Sequence, residues 1–360
     1  MGKYTFTPIG KEINRWHPEL GEGDNLTNYF ENVWFDAPLN GPDGLYYIRV
    51  SPFPSTVLGS HGAKKGGLPA MGFDLLLPNG VCIDEYKFYD PEEFIPLEPY
   101  GCKMGPNTYS GTLNEKGQVE TIEFDVVCKG VGIHLKGKTI AQGLKFVEAD
   151  HGYSYYHPIK KTALGWWPIA PRLEVEGMLT IEGKEIPVKG PGYLDAQLGN
   201  LPKPFGGSGQ QWWTWGHFWA GEYTATFTES AAGADKNYFH FSPFMLWKNS
   251  ELLIATHDFT NYVEQFAIDE ASGKFYPKVL SVKAADGSVR VTAQITNGVL
   301  VEPTTTSLTE TSKYARQFAD VEMQISRFGG INDESEGKCV IEFGGGMHYL
   351  PWDRIFNNKG

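Results

Sequence analysis

The sequence predicts an all-β protein built from two antiparallel domains, each a β-sandwich or a β-barrel. Helical periodicity is scarce along the 360 residues, whereas short alternating or apolar runs recur about every ten residues between Gly, Pro, Asn and Asp. The length also suits two β domains better than a single barrel. We therefore expect an N-terminal domain over residues 1–189 and a C-terminal domain over residues 190–360.

The candidate strands of the first half alternate apolar with polar residues or are continuously apolar, and turn residues bound each of them. Two stretches between them, Ser51–Gly67 and Asp90–Pro106, are rich in Gly, Ser or Pro and are predicted to be long surface loops. The candidate strands are Leu45–Val50, Gly72–Leu77, Val81–Phe88, Thr121–Val127, Gly132–Leu135 and Leu144–Glu148.

Hairpins dominate the prediction for the rest of the chain. One is expected over Arg172–Lys189, with its turn at Glu182–Glu185. Asp286-Gly287 and Asn297-Gly298 are the strongest short hairpin-turn patterns in the sequence. The candidate strands are Tyr238–Trp247, Leu252–Thr256, Lys278–Lys283, Val289–Ile295, Val299–Glu302, Phe318–Arg327 and Cys339–Phe343.

Composition excludes several classes of partner. The formal net charge of −12 disfavours nucleic acid and anionic membrane surfaces, because both are bound by clustered Lys and Arg. No apolar run approaches the roughly 18 residues that span a bilayer. The four cysteines lack metal-site or redox-pair spacing, which favours free thiols in a reducing compartment over disulfides. We expect a cytoplasmic protein, although the sequon at Asn25–Thr27 leaves secretion open if a leader has been removed.

The most informative stretch runs from Gly192 to Phe205 and continues, after a Gly/Ser/Gln link, through Trp212–Tyr223. Read with the two-residue period of a strand, it gives one face of large aromatic rings with a single imidazole. Such a face fills a core or lines a ligand cavity. Glycines at 192, 199, 206, 207 and 209 predict a sharp turn that brings Asp195 near this face. The residues of the face are Trp213, Trp215, His217, Trp219, Tyr223 and Phe227.

Asp195 and His217 are the candidate chemical groups. Burial of Asp195 between Leu194 and Ala196 would favour its protonated form and make it a proton donor, but a carboxylate that caps a turn explains the same residue equally well. His217 is a pocket imidazole or a core histidine that is bonded to backbone. His348 is a weaker candidate for a second pocket imidazole.

The pattern G-x-G-Y-x-D-x-x-x-G, followed by P-F, W-x-W-G-H and G-x-Y-T, resembles the carotenoid 1,2-hydratase or hydroxyneurosporene synthase (AttH/CrtC-type) superfamily, and most of all its fungal branch of natural-product cyclases and Diels-Alderases. Trp34-x-Asp36 is similar to an N-terminal signature of that superfamily. The resemblance implies two lipocalin-like antiparallel β-barrel or sandwich domains with a pocket near their junction. Ala196 and Leu198 stand where the superfamily usually has His and Trp, so the machinery for alkene hydration is reduced.

The resemblance implies a cofactor-independent cyclase, a Diels-Alderase-like pericyclase of secondary metabolism, which needs no metal. Its substrate would be a small apolar polyketide, terpenoid or alkaloid intermediate. Asp195, His217 and Tyr193 would supply the polarising hydrogen bond or proton. Two alternatives stay open: a hydratase or dehydratase of an isoprenoid or polyene that uses Asp195 as acid, and a non-catalytic lipocalin-like carrier. The expected substrate-binding residues are Trp213, Trp215, Trp219, Tyr223, Trp34 and His348.

Overall fold

The structure is a computed structural model. It describes residues 6–18, 29–56, 63–146, 155–157, 162–200, 210–232, 240–270, 275–301, 315–327 and 332–345. Within these ranges the chain forms 24 β-strands and a short 3-10 turn at Pro91–Glu93. No helix in the described part of the chain is long and apolar enough to cross a membrane.

The chain divides into two compact units. The first is built mainly from Met1–Gly59 and Ala63–Pro202, and the second mainly from Lys203–Lys248 and Leu252–Gly360. A single strand, Lys184–Gly199, runs through residue 190 and pairs with neighbours on both sides. The domain division expected between residues 189 and 190 stays a prediction.

The first unit holds an antiparallel sheet in the order β5-β4-β3-β2-β14-β13-β10-β9-β8-β7-β6, with β12 paired to β13 and a separate β1-β11 pair. Its strands are β1 Phe6–Pro8, β2 Phe30–Gly41, β3 Gly44–Thr56, β4 Leu68–Leu76, β5 Cys82–Phe88, β6 Phe94–Pro96, β7 Tyr100–Met104, β8 Asn107–Leu113, β9 Val119–Cys128, β10 Val131–Ala141, β11 Leu144–Phe146, β12 Tyr155–His157, β13 Thr162–Ile181 and β14 Lys184–Gly199.

The second unit holds an antiparallel sheet in the order β19-β18-β16-β15-β24-β23-β22-β21-β20, with β17 paired to β16. Its strands are β15 Gln210–Ala220, β16 Tyr223–Ala232, β17 His240–Phe241, β18 Phe244–Lys248, β19 Glu251–Thr256, β20 Phe259–Ile268, β21 Phe275–Asp286, β22 Val289–Leu300, β23 Ala315–Arg327 and β24 Asn332–Gly345.

Each sheet curls around a core of large side chains. In the first unit, the ring of Phe124 lies 4.6 Å from that of Phe35 and 4.8 Å from that of Tyr109. Gly192 permits the curvature, since a Cβ there would lie 2.6 Å from Cγ2 of Val175. The middle of this unit is thus filled by side chains. The second core is equally apolar and includes Phe218, Phe227, Phe244, Phe259, Val282, Ile325 and Ile341.

Three predicted connections differ from the structure. The predicted loop Ser51–Gly67 begins as strand, because β3 continues to Thr56, and the predicted loop Asp90–Pro106 contains β6 and β7. Asn297-Gly298 is not a hairpin turn but lies inside β22, where the register shifts between Thr296 and Val299. Asn297 has φ 55°, and a β-bulge uses this left-handed conformation as readily as a turn does. The hairpins predicted with turns over Glu182–Glu185 and at Asp286-Gly287 are confirmed, and their two-residue loops are Glu182-Gly183 and Gly287-Ser288.

The four cysteines are free thiols, as predicted. Burial raises the pKa of the Cys128 thiol to about 12 and raises the pKa of Cys102 and Cys339 well above the ordinary value. Because the thiolate is the reactive form, we expect iodoacetamide at pH 8 to leave these three unmodified in the folded protein. Peptide mass spectrometry measures this, with the urea-unfolded protein as the fully labelled control. Labelling of any of the three at the rate of Cys82 contradicts the prediction.

Candidate functional site

Strand β14 has two buried faces of different character. Leu194, Ala196 and Leu198 point into the hydrophobic core of the first unit. Tyr193 and Asp195 point to the opposite face and are equally buried, with no exposed surface. Alternation along a strand separates these two sets. A carboxylate therefore lies on a buried sheet face whose reverse side is a packed core.

Asp195 is held by two aromatic donors. Its Oδ2 accepts a hydrogen bond from Nε1 of Trp166 at 2.7 Å and another from the hydroxyl of Tyr193 at 3.0 Å. Hydrogen bonds to a carboxylate are stronger than those between neutral groups and fix its orientation. Asp195 lies within β14, as do Gly192 and Gly199, so these residues do not form the predicted turn. The prediction missed Trp166, which lies 29 residues earlier in the chain, on strand β13. Strand β13 pairs with β14, and this pairing brings Trp166 to Asp195.

A second carboxylate, Asp36, repeats this arrangement. Its Oδ2 accepts from Nε1 of Trp34 at 2.7 Å and from the hydroxyl of Tyr47 at 3.2 Å. In the register of β2 with β14, Trp34 lies opposite Asp195 and Asp36 lies opposite Tyr193. The two carboxylates are therefore diagonal neighbours on one face, a relationship that places Cβ atoms about 7 Å apart. Each carboxylate has one indole and one phenol donor on a single oxygen.

An ion pair extends this face across the next two strands. Arg49 of β3 lies opposite both Asp36 and Asp74, and its Nε donates to Oδ2 of Asp74 with both side chains fully buried. The guanidinium carbon lies 4.9 Å from the ring of Trp34 and 5.0 Å from that of Tyr86. We call this set the β14 polar face: Trp34, Asp36, Tyr47, Arg49, Asp74, Trp166, Tyr193 and Asp195.

The sequence contained a pattern that identifies the missed members of this face. Arg49 and Asp74 are charged residues within the apolar runs Tyr46–Val50 and Gly72–Leu77, where a charge is expected only if it is paired. Gly72 makes room for the guanidinium, since a Cβ at Gly72 would lie 2.5 Å from Nη1 of Arg49.

The second unit places His217 between two indoles. The imidazole is fully buried, 5.2 Å from the ring of Trp215 and 4.6 Å from that of Trp219, with both pairs edge to face. Trp213 lies two residues before Trp215 on the same face of β15 and is also buried. The predicted aromatic face with a single imidazole is confirmed for these four residues.

Tyr223 and Phe227 do not belong to that face. Ala220 pairs with Tyr223 across a two-residue loop, so odd-numbered residues of β15 lie opposite even-numbered residues of β16. The indoles share their face with Thr224, Thr226 and Thr228, whereas Tyr223 and Phe227 point into the hydrophobic core of the second unit. The loop at Gly221 and Glu222 reverses the alternation that the sequence analysis carried through it.

This placement predicts a small effect for Tyr223→Phe. The hydroxyl donates to Oδ2 of Asp333 at 2.6 Å, and burial together with this bond raises the pKa of Tyr223. We expect the variant to lose about 1 kcal/mol of unfolding free energy, the usual value of one hydrogen bond, and to bind ligand as the wild type does. Urea unfolding and ligand titration measure the two effects. A large loss of ligand affinity with little loss of stability contradicts the assignment to the core.

The structure thus gathers the predicted site residues into two clusters, one in each unit. Asp195, Tyr193 and Trp34 lie together on the β14 polar face, and His217 lies with its tryptophans on β15. His348 lies outside the described residues, and the predicted pocket near residue 190 stays a prediction. Two surface depressions, of about 540 and 890 Å³, are lined by residues of neither cluster. Among the residues described, no group of three or more His, Cys, Asp or Glu side chains is placed to hold a metal ion.

Comparisons with known proteins give the fold. No family model and no curated protein matches the sequence. An AttH-type protein from Nitrosomonas europaea is 15% identical over 94% of this chain and 99% of its own, with a TM-score of 0.59. Kievitone hydratase from Nectria haematococca is 11% identical over 94% and 95%, with a TM-score of 0.57. CghA with Sch210972 is 12% identical over 96% and 99%, with a TM-score of 0.58.

Proposed function

We propose that this chain, which has the lipocalin-like all-β fold of the AttH-type structures, is an enzyme that acts on a small apolar molecule without a cofactor. The reaction that we assign is a cyclisation of a polyketide, terpenoid or alkaloid intermediate, of the Diels-Alderase-like pericyclic kind. One observation carries the proposal: Asp195 is fixed by Trp166 and Tyr193 on a buried, indole-rich sheet face.

The chemistry follows from that arrangement. Indoles offer flat apolar surfaces against which a polyene can be held in a reactive fold, and such positioning lowers the barrier by pre-ordering the reacting ends. A protonated Asp195, or the hydroxyl of Tyr193, donates a hydrogen bond to a substrate carbonyl and polarises it. Since two donors fix Oδ2 of Asp195, the proton that it donates lies on Oδ1. His217, held between two indoles in the second unit, is the other candidate donor.

The neighbours of similar fold are consistent with small-molecule chemistry. One is named a hydratase, and CghA carries the small molecule Sch210972. At 11–12% identity these structures establish the fold of the present chain, while its activity rests on the residues described above.

The direct test is conversion of linear polyene precursors by the purified protein in the presence of a metal chelator and without added nucleotide. We expect faster cyclisation than in buffer and a single stereoisomer. Rates and isomer ratios equal to those in buffer contradict the proposal. Tight binding of precursor and product without turnover identifies a carrier instead.

The second carboxylate favours one alternative. Asp36 lies diagonally opposite Asp195, so one can act as acid while the other acts as base toward water. This is the minimum requirement of a hydratase or dehydratase of an isoprenoid or polyene. Reaction in ¹⁸O-labelled water separates hydration from cyclisation, because a hydratase product contains the label and a cyclisation product does not. A dehydratase is recognised by a product that has lost one water, whereas cyclisation leaves the mass unchanged.

A further inference from the structure

The segment of residues 6–18, which we call the N-terminal plug, packs against one end of the first unit. Ile9 and Ile13 are part of the hydrophobic core. Trp16 donates from Nε1 to the carbonyl oxygen of Gly101 at 2.6 Å, and Asn14 donates from Nδ2 to the carbonyl oxygen of Gly117 at 2.7 Å. These contacts lie far apart in sequence, and strand β1 at the start of the plug pairs with β11, so tertiary contacts and strand pairing together hold the plug.

His17 ties the plug to strand β2. Its Nδ1 lies 2.7 Å from Oε1 of Glu31, its Nε2 lies 3.0 Å from the carbonyl oxygen of Glu12, and its backbone N–H donates to Oε2 of Glu31 at 2.9 Å. The hydroxyl of Tyr29 lies within hydrogen-bond distance of Oε2 of Glu31 and of the carbonyl oxygen of His17, so its single proton is shared between these two acceptors. The His17 and Glu31 side chains are only 4% and 5% exposed, so water does not replace these bonds easily.

Both ring nitrogens of His17 face oxygen acceptors. This arrangement determines how many protons the His17 ring and the Glu31 carboxyl group must hold together. A neutral imidazole has one N–H and one lone pair. Whichever tautomer it adopts, that lone pair points at the carbonyl oxygen of Glu12 or at the carboxylate of Glu31. The contacts are all satisfied only when the His17–Glu31 pair holds one more proton, either as imidazolium with carboxylate or as imidazole with carboxylic acid.

We propose that the N-terminal plug is a pH-sensitive latch, closed while the His17–Glu31 pair keeps this proton and loosened when the proton is lost. Removal of the proton leaves two lone pairs facing each other in a buried place, which is costly. The latch is therefore closed at low pH, where the pair holds its proton, and loosens as the pH rises.

The other charged and titratable groups around the His17–Glu31 pair do not supply the proton that the pair shares. Within the described residues, the Glu12 carboxylate forms its ion pair with Lys145, and Arg15 donates to the carbonyl oxygen of Trp16. The Tyr29 hydroxyl donates a hydrogen bond to Glu31, and Tyr100 is fully buried nearby with its pKa raised, chiefly by desolvation.

The latch lies behind the β14 polar face. The imidazole of His17 stacks on the ring of Trp167 at 6.2 Å between centroids and 27° between planes. The preceding residue of β13, Trp166, points to the other side of the sheet and donates to Asp195. The latch and the Asp195 cluster therefore lie on opposite sides of the same strand.

Nuclear magnetic resonance of the ¹⁵N-labelled full chain tests the proton directly. Near pH 6 we expect the Nδ1 and Nε2 shifts of His17 to be those of a ring protonated at both nitrogens, or Nδ1 to show the shift of a nitrogen that accepts a strong hydrogen bond. A neutral Nδ1–H tautomer, with Nε2 bare, overturns the proposal. His134 in the same unit, whose side chain is 50% exposed and whose Nε2 lies 3.8 Å from Oε1 of Glu123, serves as the solvent-exposed comparison.

Hydrogen exchange tests the latch. After correction for intrinsic rates, we expect the amides of residues 9–17 to lose about tenfold or more of their protection, relative to β9 and β10, between pH 5.5 and pH 8.5. His17→Gln removes the imidazole and should abolish this step, whereas the matched control His134→Gln should keep it. A wild-type plug whose relative protection is constant with pH, or a step that persists in His17→Gln, overturns the latch. If His17→Gln fails to fold, the pH dependence of exchange protection in the wild type and the ring-nitrogen shifts of His17 still test the proposal.

Discussion

Replacement of Asp195 by asparagine is expected to lower turnover by about 10²- to 10⁴-fold, the usual contribution of a positioned acid or base. Asparagine keeps the size of the side chain, and its Oδ1 can still accept from Nε1 of Trp166 and the hydroxyl of Tyr193. The amide N–H can still reach a substrate carbonyl, but it is a far weaker acid and hydrogen-bond donor than a carboxylic acid, so the fold is retained while most of the polarisation is lost. Single-turnover kinetics on a converted precursor, with circular dichroism to check the fold, measure the effect.

Three further variants make this result specific. Asp125→Asn changes an exposed aspartate on β9 of the same unit and should leave turnover unchanged. Tyr193→Phe removes one of the two donors to Asp195, so a smaller loss is expected. Asp36→Asn distinguishes the functions, because a loss as large as that of Asp195→Asn indicates two-carboxylate hydration chemistry. A fully active, folded Asp195→Asn variant removes Asp195 from the mechanism.

Loss of the Asp74 carboxylate is the largest stability effect that we predict. Asp74→Leu leaves the guanidinium of Arg49 fully buried without the carboxylate to which its Nε donates. Breaking a buried ion pair by removing one partner costs about 3–5 kcal/mol, because a charge stays in a place of low dielectric. Urea unfolding at pH 7 measures this as a lower midpoint with an unchanged slope.

The double variant Arg49→Met with Asp74→Leu tests the reason for that loss. Because it removes both charges and keeps the volume, we expect it to recover most of the stability that Asp74→Leu loses. Glu123→Ala, which disrupts the exposed pair of Glu123 with Lys136 in the same sheet, should change stability by no more than about 0.5 kcal/mol. A double variant no more stable than Asp74→Leu contradicts the buried-charge explanation.

The sequence was sufficient for the fold class and for part of the site. Alternation and turn residues predicted the hairpins at Glu182-Gly183 and Asp286-Gly287, and both are present. An aspartate within an apolar strand identified Asp195 as unusual. The same reasoning applied to Arg49 and Asp74 would have found a buried ion pair, although their partnership across 25 residues needs the strand order.

What the sequence determined by itself is which side chains alternate along each strand, because a strand's period is a property of its own backbone. Only the tertiary structure decided which strands are neighbours and in which register. That choice places Trp166 on Asp195 and Trp34 opposite it, and a two-residue loop moves Tyr223 into the core. Register depends on the lengths of the connecting loops and on burial summed over whole sheets, so no local run of residues contains it.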